Sequence, residues 1–326
     1  GVVDDFQPVS RLHLGYPAGQ GAALSGLARR PSRVVPRTVL DARLRDAAAA
    51  AGAVVCQRTV RRAQVRPDGV VLDGAIRART VVAADGAESV LRRSTGLPRA
   101  DDRHLAVAIR GYAPVRPDLA EEQRIVLARG DRAAYAWSFP IGDGRANVGY
   151  GEVLGGRPRT RAHLLERLDN LLPGVAEDGT AWRGHHLPLS PGRPRQPDGR
   201  ILLAGDALSL VNPLTGEGIY YAVLSGACAG TAAVSGAADP GRAYRTALDR
   251  QLRRHLRHTT AAARLARSPR LVDAVLRAGD RDDAVFDALT DLGLGRGLLT
   301  GRVLRATGRS FLLTSPSGAR AAPGPG

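Results

Sequence analysis

The stretch from Ile201 to Ala238 constrains this chain more than any other. An apolar run, Ile201-Leu202-Leu203-Ala204, enters Gly205-Asp206. A loop with Pro213, Gly216 and Gly218 follows, and no charged side chain then occurs from Gly218 to Ala238. The pattern predicts a buried strand, a tight turn and a helix starting near Ile219. A carboxylate at the C-terminal end of such a strand stands where α/β folds bind ligands, and glycines let backbone approach a ligand closely. The first turn of the helix would offer unpaired N–H groups and a positive dipole end to an electron-rich group. The uncharged stretch is no membrane span, because Ile219, Val223, Leu224 and Val234 are its only aliphatic residues larger than Ala. It is expected to be a buried helix whose Gly226 and Gly230 allow close packing on a sheet.

A second segment repeats the strand-to-turn logic. Val81-Val82-Ala83-Ala84 runs into Asp85-Gly86, and Ser89 stands where it can cap a helix begun by Val90-Leu91-Arg92. Upstream, Pro36-Arg37-Thr38 opens a helix with Val39, Leu40 and Leu44 on one face, ending at Gly52. Strands are expected at Ala53–Gln57, Val65–Leu72 about the turn Pro67-Asp68-Gly69, and Arg79–Ala84. Further strands at 106–112, 124–129, 133–139 and 145–151 read as an antiparallel sheet. Leu187–Pro197 reads as a linker because prolines punctuate it. From Pro240 the pattern is helical, fraying into a Pro-Gly tail at Ala321–Gly326.

Composition narrows the function classes. The chain has 326 residues, 44% of them hydrophobic, with 47 basic and 31 acidic residues and a net charge of +16. All the basic residues are arginine. Blanket arginine with abundant Ala, Gly and Pro reads as coding bias, and two Trp, seven Tyr and four Phe give no basic stretch interleaved with aromatics. Nucleic acid is therefore not an expected partner. Cys56 and Cys228 form no C-x-x-C, and the pair His185-His186 has no third ligand nearby, so neither a disulfide nor a metal is expected. A reducing, cytoplasmic setting is the default. The Arg-rich run Arg250–Arg257 allows peripheral contact with anionic lipid. With no Met and no leader pattern at Gly1, the chain is expected to be an N-terminally incomplete piece.

Asp85-Gly86 and Gly205-Asp206, in this order with a sheet-like insert between them, resemble the flavin monooxygenase and geranylgeranyl reductase superfamily. The resemblance spans roughly residues 33 to 236. Asn212-Pro213-Leu214-Thr215-Gly216-Glu217-Gly218-Ile219 is more similar to the reductases than to aromatic hydroxylases, which usually carry His, Gln and Asn where Ser209, Glu217 and Tyr220 stand here. Tyr135-Ala136-Trp137-Ser138-Phe139-Pro140, followed by Val148-Gly149-Tyr150-Gly151, resembles the reductases' Tyr-x-Trp-x-Phe-Pro signature. Arg37 with Asp41 and Leu44 resembles their Arg-x-x-Phe-Asp-x-x-Leu helix.

The resemblance implies an α/β fold: an interrupted FAD-binding Rossmann-like domain (33–100 and 196–238), an antiparallel substrate-binding sheet (1–32 and 101–195) and a helical C-terminal region (239–326). It implies FAD as cofactor, held by Arg37, Asp85, Gly86, Gly205, Asp206, Pro213, Gly216, Glu217, Gly218 and Ile219, with NAD(P)H or another reductant as electron donor. Tyr135, Trp137 and Phe139 would line an apolar isoprenoid substrate whose C=C bond is reduced. No residue is singled out as catalytic; Tyr135, Tyr150, Tyr220 and Tyr221 are candidate proton relays only. FAD-dependent aromatic hydroxylation and a non-catalytic binding module are the alternatives. No Gly-x-Gly-x-x-Gly fingerprint occurs in residues 1–326, and the βαβ unit that carries it is expected upstream of Gly1.

Overall fold

The computed structural model describes residues 3, 5, 6, 8–130 and 132–313; the expected tail at Ala321–Gly326 lies outside them. Strands β1 (Pro8–Gly15) and β2 (Ala23–Arg33) precede helix α1 (Arg37–Ala50). The small meander β3 (Ala63–Arg66), β4 (Gly69–Leu72) and β5 (Ile76–Ala78) leads to β6 (Val81–Ala83) and the short helix α2 (Val90–Ser94). Four long strands follow: β7 (Leu105–Pro114), β8 (Glu122–Leu127), β9 (Ala134–Pro140) and β10 (Arg145–Val153). Helices α3 (Arg161–Leu171) and α4 (Val175–Asp178) then lead to β11 (Thr180–Pro188) and β12 (Ile201–Leu203). The remaining elements are α5 (Ile219–Val234), α6 (Pro240–Leu265), α7 (Pro269–Arg281), α8 (Asp283–Leu294) and α9 (Gly301–Leu313).

The large sheet has the order β11-β7-β10-β9-β8-β1-β2. All its neighbours are antiparallel except β1 with β8. In its central strands alternate side chains bury one face against α3 through Ile109, Ala136, Tyr150, Leu164 and Leu168. At the far edge β2 packs on α7 and α8, where Leu24, Leu276 and Phe286 are buried together. The other layer is built on the parallel pair β6 and β12, covered by α5 and α6. Gln196 completes the edge of β12 as a third strand would, accepting from Leu203 N and donating to Ile201 O, each at 2.9 Å.

Three local expectations change. Leu187 and Pro188 close strand β11 on β7, so the expected linker at Leu187–Pro197 begins only after them. Ala53–Gln57 forms no strand: Val54 is 94% exposed, and with neither an apolar surface nor a partner ladder the alternation has nothing to stabilise it. Helix α5 is buried on one stripe only, Tyr221, Ser225, Ala229 and Ala232. A Cβ on Gly226 or Gly230 would meet no atom. The close approach is made instead at Gly205, where a Cβ would stand 3.1 Å from Ala222 Cβ, and Gly205 N donates to Ser225 Oγ at 2.9 Å.

Candidate functional site

Strands β6 and β12 run parallel in the register Val81–Ile201, Val82–Leu202 and Ala83–Leu203. The turns Asp85-Gly86 and Gly205-Asp206 therefore emerge from the same end of one small sheet. They play different roles. The Asp85 carboxylate accepts from Ser89 Oγ at 2.6 Å and from Leu91 N at 3.2 Å, while Ser89 Oγ accepts from Arg92 N at 2.9 Å. Asp85 thus orders the start of α2, and Gly86 supplies the left-handed turn, φ 78°, that a side chain would strain.

Asp206 is half-buried, and no described residue donates to its carboxylate. Burial pushes its pKa up, against the opposing pull of the Arg37 guanidinium. Arg37 reaches Asp206 only through its field, since its own hydrogen bonds go to Asp41 at 3.0 and 3.1 Å on the exposed face of α1.

The loop 212–218 closes on itself: Asn212 N donates to Glu217 O at 2.8 Å and Gly216 N to Asn212 O at 2.9 Å. Glu217 Oε1 accepts from Tyr220 N at 3.0 Å, taking up one first-turn donor of α5. Gly216 has φ 73°, and a Cβ there would stand 3.1 Å from Tyr135 Oη. Tyr135 Oη donates to Thr215 O, so the first aromatic of β9 seats on this loop. Pro213 is half-buried within it, whereas Ile219, at the start of α5, is exposed. Gly218 leaves ordinary contact space to Asp206 Oδ1, 3.6 Å from a built Cβ.

Tyr135, Trp137 and Phe139 share one face of β9, with ring centroids 5.9 and 6.4 Å apart. Across the ladder they face Gly151, Gly149 and Asn147. A Cβ on Gly149 would run into the Trp137 ring, so the glycine is what lets the indole lie over β10; Trp137 Nε1 donates to Asn147 Oδ1 at 2.9 Å. The candidate tyrosines separate. Tyr150 pairs with Ala136 and faces the opposite side, where its hydroxyl donates to Glu152 Oε2 at 2.7 Å. Tyr221 is fully buried between Asn212 and His255. Tyr220 stacks edge-on against Tyr221. Among these four, Tyr135 alone joins the aromatic row to the loop.

Two features lie beyond local patterning. Arg92 Nη1 donates to Ser209 Oγ at 2.7 Å and to Ala207 O at 3.2 Å, tying the two turns together and holding Ser209 at φ 56°. Asn212 Nδ2 donates to Tyr221 Oη at 3.0 Å, beginning a buried chain that passes through His255 to Gly297 O. No local signal could find either, because the partners are remote in sequence. His185 and His186 are successive residues of β11, so they point to opposite faces and cannot converge on one ion.

No known family profile matches the chain. A menaquinone reductase of Mycolicibacterium smegmatis is 31% identical over 225 residues, 63% of this chain and 54% of that protein. A digeranylgeranylglycerophospholipid reductase of Thermoplasma volcanium is 31% identical over 266 residues, 72% of this chain and 64% of that protein. The chain thus spans between about half and two thirds of the length of these two relatives. Among solved structures, a geranylgeranyl bacteriochlorophyll reductase-like protein of Thermoplasma acidophilum superposes with a TM-score of 0.73, covering 96% of this chain and 85% of that one at 21% identity. Klebsiella pneumoniae HpxO, complexed with FAD, superposes with a TM-score of 0.60 at 18% identity over 95% of this chain and 84% of that one.

The fold, a mixed α/β architecture with one large sheet, is shared with these two flavoprotein structures. The reductases named for digeranylgeranylglycerophospholipid are the relatives that recur, each similar to this chain at 30% identity or more over part of its length.

Proposed function

We propose that the complete protein is an FAD-dependent oxidoreductase that reduces a C=C bond of an isoprenoid lipid, with NAD(P)H or another reductant as electron donor. The observation that carries this reading is the meeting of two features at one loop. Asp206, a half-buried carboxylate with no described donor, stands at the end of β12, and Tyr135 anchors the aromatic row to Thr215 on the loop 212–218. A carboxylate left open in this way fits the hydroxyl-rich chain of a flavin, whose hydroxyls would supply the missing donors. In this reading Arg37, Asp85, Gly86, Gly205, Asp206, Pro213, Gly216, Glu217, Gly218 and Ile219 form the flavin side, within 33–100 and 196–238. Asp206 binds, Asp85 and Gly86 shape the neighbouring strand end, and Arg37 supplies positive field.

Bound there, FAD supplies two-electron redox chemistry. The protein's part is orientation and exclusion of water. Tyr135, Trp137 and Phe139 present an apolar aromatic row suited to a long hydrocarbon, and Gly149 makes the room in which the indole lies over β10. Among the described residues no helix is long and apolar enough to cross a membrane.

Oxygen dependence tests the reaction class. The reduced full-length holoenzyme should be oxidised by an isoprenoid alkene in strict anaerobiosis, giving a saturated product. Product that forms only with oxygen and carries a new hydroxyl would replace reduction by hydroxylation.

A further inference from the structure

The face of the large sheet turned away from the aromatic row carries a second concave site. Tyr150 and Glu152 of β10 floor a cavity of about 210 Å³. Arg129 and Arg132 reach it from the β8–β9 connection, Arg157 and Arg159 from the segment before α3, and Arg167 from α3 itself. Five arginines and a single carboxylate thus line the cavity among the described residues.

That carboxylate is already committed. Glu152 accepts from Arg159 Nε, from Tyr150 Oη at 2.7 Å, and lies 3.3 Å from His163 Nε2. Arg129 lies over the Tyr16 ring and reaches Asp273 at 3.3 Å, outside the cavity lining. The Arg157 side chain has no bonding partner among the described residues. Like charges gathered in a concavity repel one another unless an anion enters, and forked guanidinium groups match phosphate oxygens well. The volume lies below the roughly 300–1,000 Å³ of pockets for drug-sized ligands, which limits the occupant to a small group.

We propose that this cavity is an anion site for a phosphate group, carried by a lipid headgroup or by a small soluble phosphate, and that it is separate from the flavin loop because Tyr150 and Tyr135 project from opposite faces of the sheet. Arg157 and Arg167 are the residues that bind it.

The test uses the full-length holoprotein. Calorimetric titration with inorganic phosphate, against chloride at equal ionic strength, forms one arm. Cosedimentation with phosphatidylcholine vesicles, with and without phosphatidylglycerol, forms the other. Arg157→Gln and Arg167→Gln should each weaken phosphate or anionic-vesicle binding about tenfold, the usual weight of one charge-assisted bond. Arg66→Gln, which removes the same charge from the distant β3–β4 hairpin, should leave binding unchanged, and flavin content should be the same in all. Binding of phosphate alone identifies a soluble ligand, and binding of anionic vesicles alone a lipid headgroup; either result supports the site. Absence of binding in both arms, or binding that all three variants weaken equally, overturns it.

Discussion

Tyr221 Oη lies 2.6 Å from His255 Nε2, with both side chains buried, and this bond fastens the first turn of α5 to the middle of α6. The neighbouring bonds determine its direction. His255 Nδ1 lies 2.7 Å from the Gly297 carbonyl, which can only accept, so Nδ1 carries the proton and Nε2 accepts from Tyr221. Tyr221 Oη in turn accepts from Asn212 Nδ2, whose Oδ1 accepts from Leu214 N at 2.9 Å. The loop beside the proposed flavin site is thus held from below by a neutral histidine.

Acid should loosen this support. Burial lowers the His255 pKa below the ordinary 6.5, the Gly297 carbonyl opposes that and the His258 charge adds to it. Above about pH 6.5 the imidazole is neutral whether folded or unfolded, so its contribution is complete. Below that value the unfolded chain takes the proton first, and stability falls by up to about 1.4 kcal/mol per pH unit until the folded pKa is reached. Urea midpoints measured from neutral to mildly acidic pH should show this slope, and His255→Gln should reduce it.

Asp206→Ala should remove most of the flavin from the full-length protein without unfolding it. No described residue bonds its carboxylate, so folding loses no partner, whereas the cofactor would lose a charge-assisted bond of roughly 1.5–3 kcal/mol, about tenfold or more in affinity. Flavin absorbance per protein and the thermal midpoint together check this. Full flavin occupancy in the variant would remove Asp206 from the site.

Arg92→Gln should destabilise the fold by about 1–3 kcal/mol, because the Ala207 carbonyl and Ser209 hydroxyl lose their shared donor and Ser209 loses what holds its left-handed backbone. Denaturant titration measures the loss. Ser209→Gly at the same bond should cost less, since glycine adopts that backbone freely.

Trp137→Ala should impair turnover of long prenyl substrates more than flavin binding. The indole's contacts are Tyr135, Phe139 and Asn147, all on the sheet. Burial of a large aromatic against hydrocarbon contributes on the order of 1–3 kcal/mol, so the loss should appear as a raised KM that grows with chain length. Steady-state kinetics across several chain lengths decide it.

Much of this protein was legible locally. Period-2 alternation located β7, β9 and β10, and strand-to-turn signals located the ends of β6 and β12, because those patterns depend only on which residues face a core. The N-terminal signal at Pro36 and the glycine at position 52 likewise delimited α1. Tertiary structure decided the rest. The pairing of β6 with β12 set Asp85 to capping and left Asp206 open, although each adjoins a glycine at a strand end. Which stripe of α5 is buried followed from Gly205 and Ala222 rather than from its own glycines. The bond from Arg92 to Ser209, the chain from Asn212 to Gly297 and the arginine-lined cavity join residues far apart in sequence. In a chain whose basic residues are all arginine, no single arginine announces its role, and only long-range packing distinguishes those that meet a partner from those that meet water.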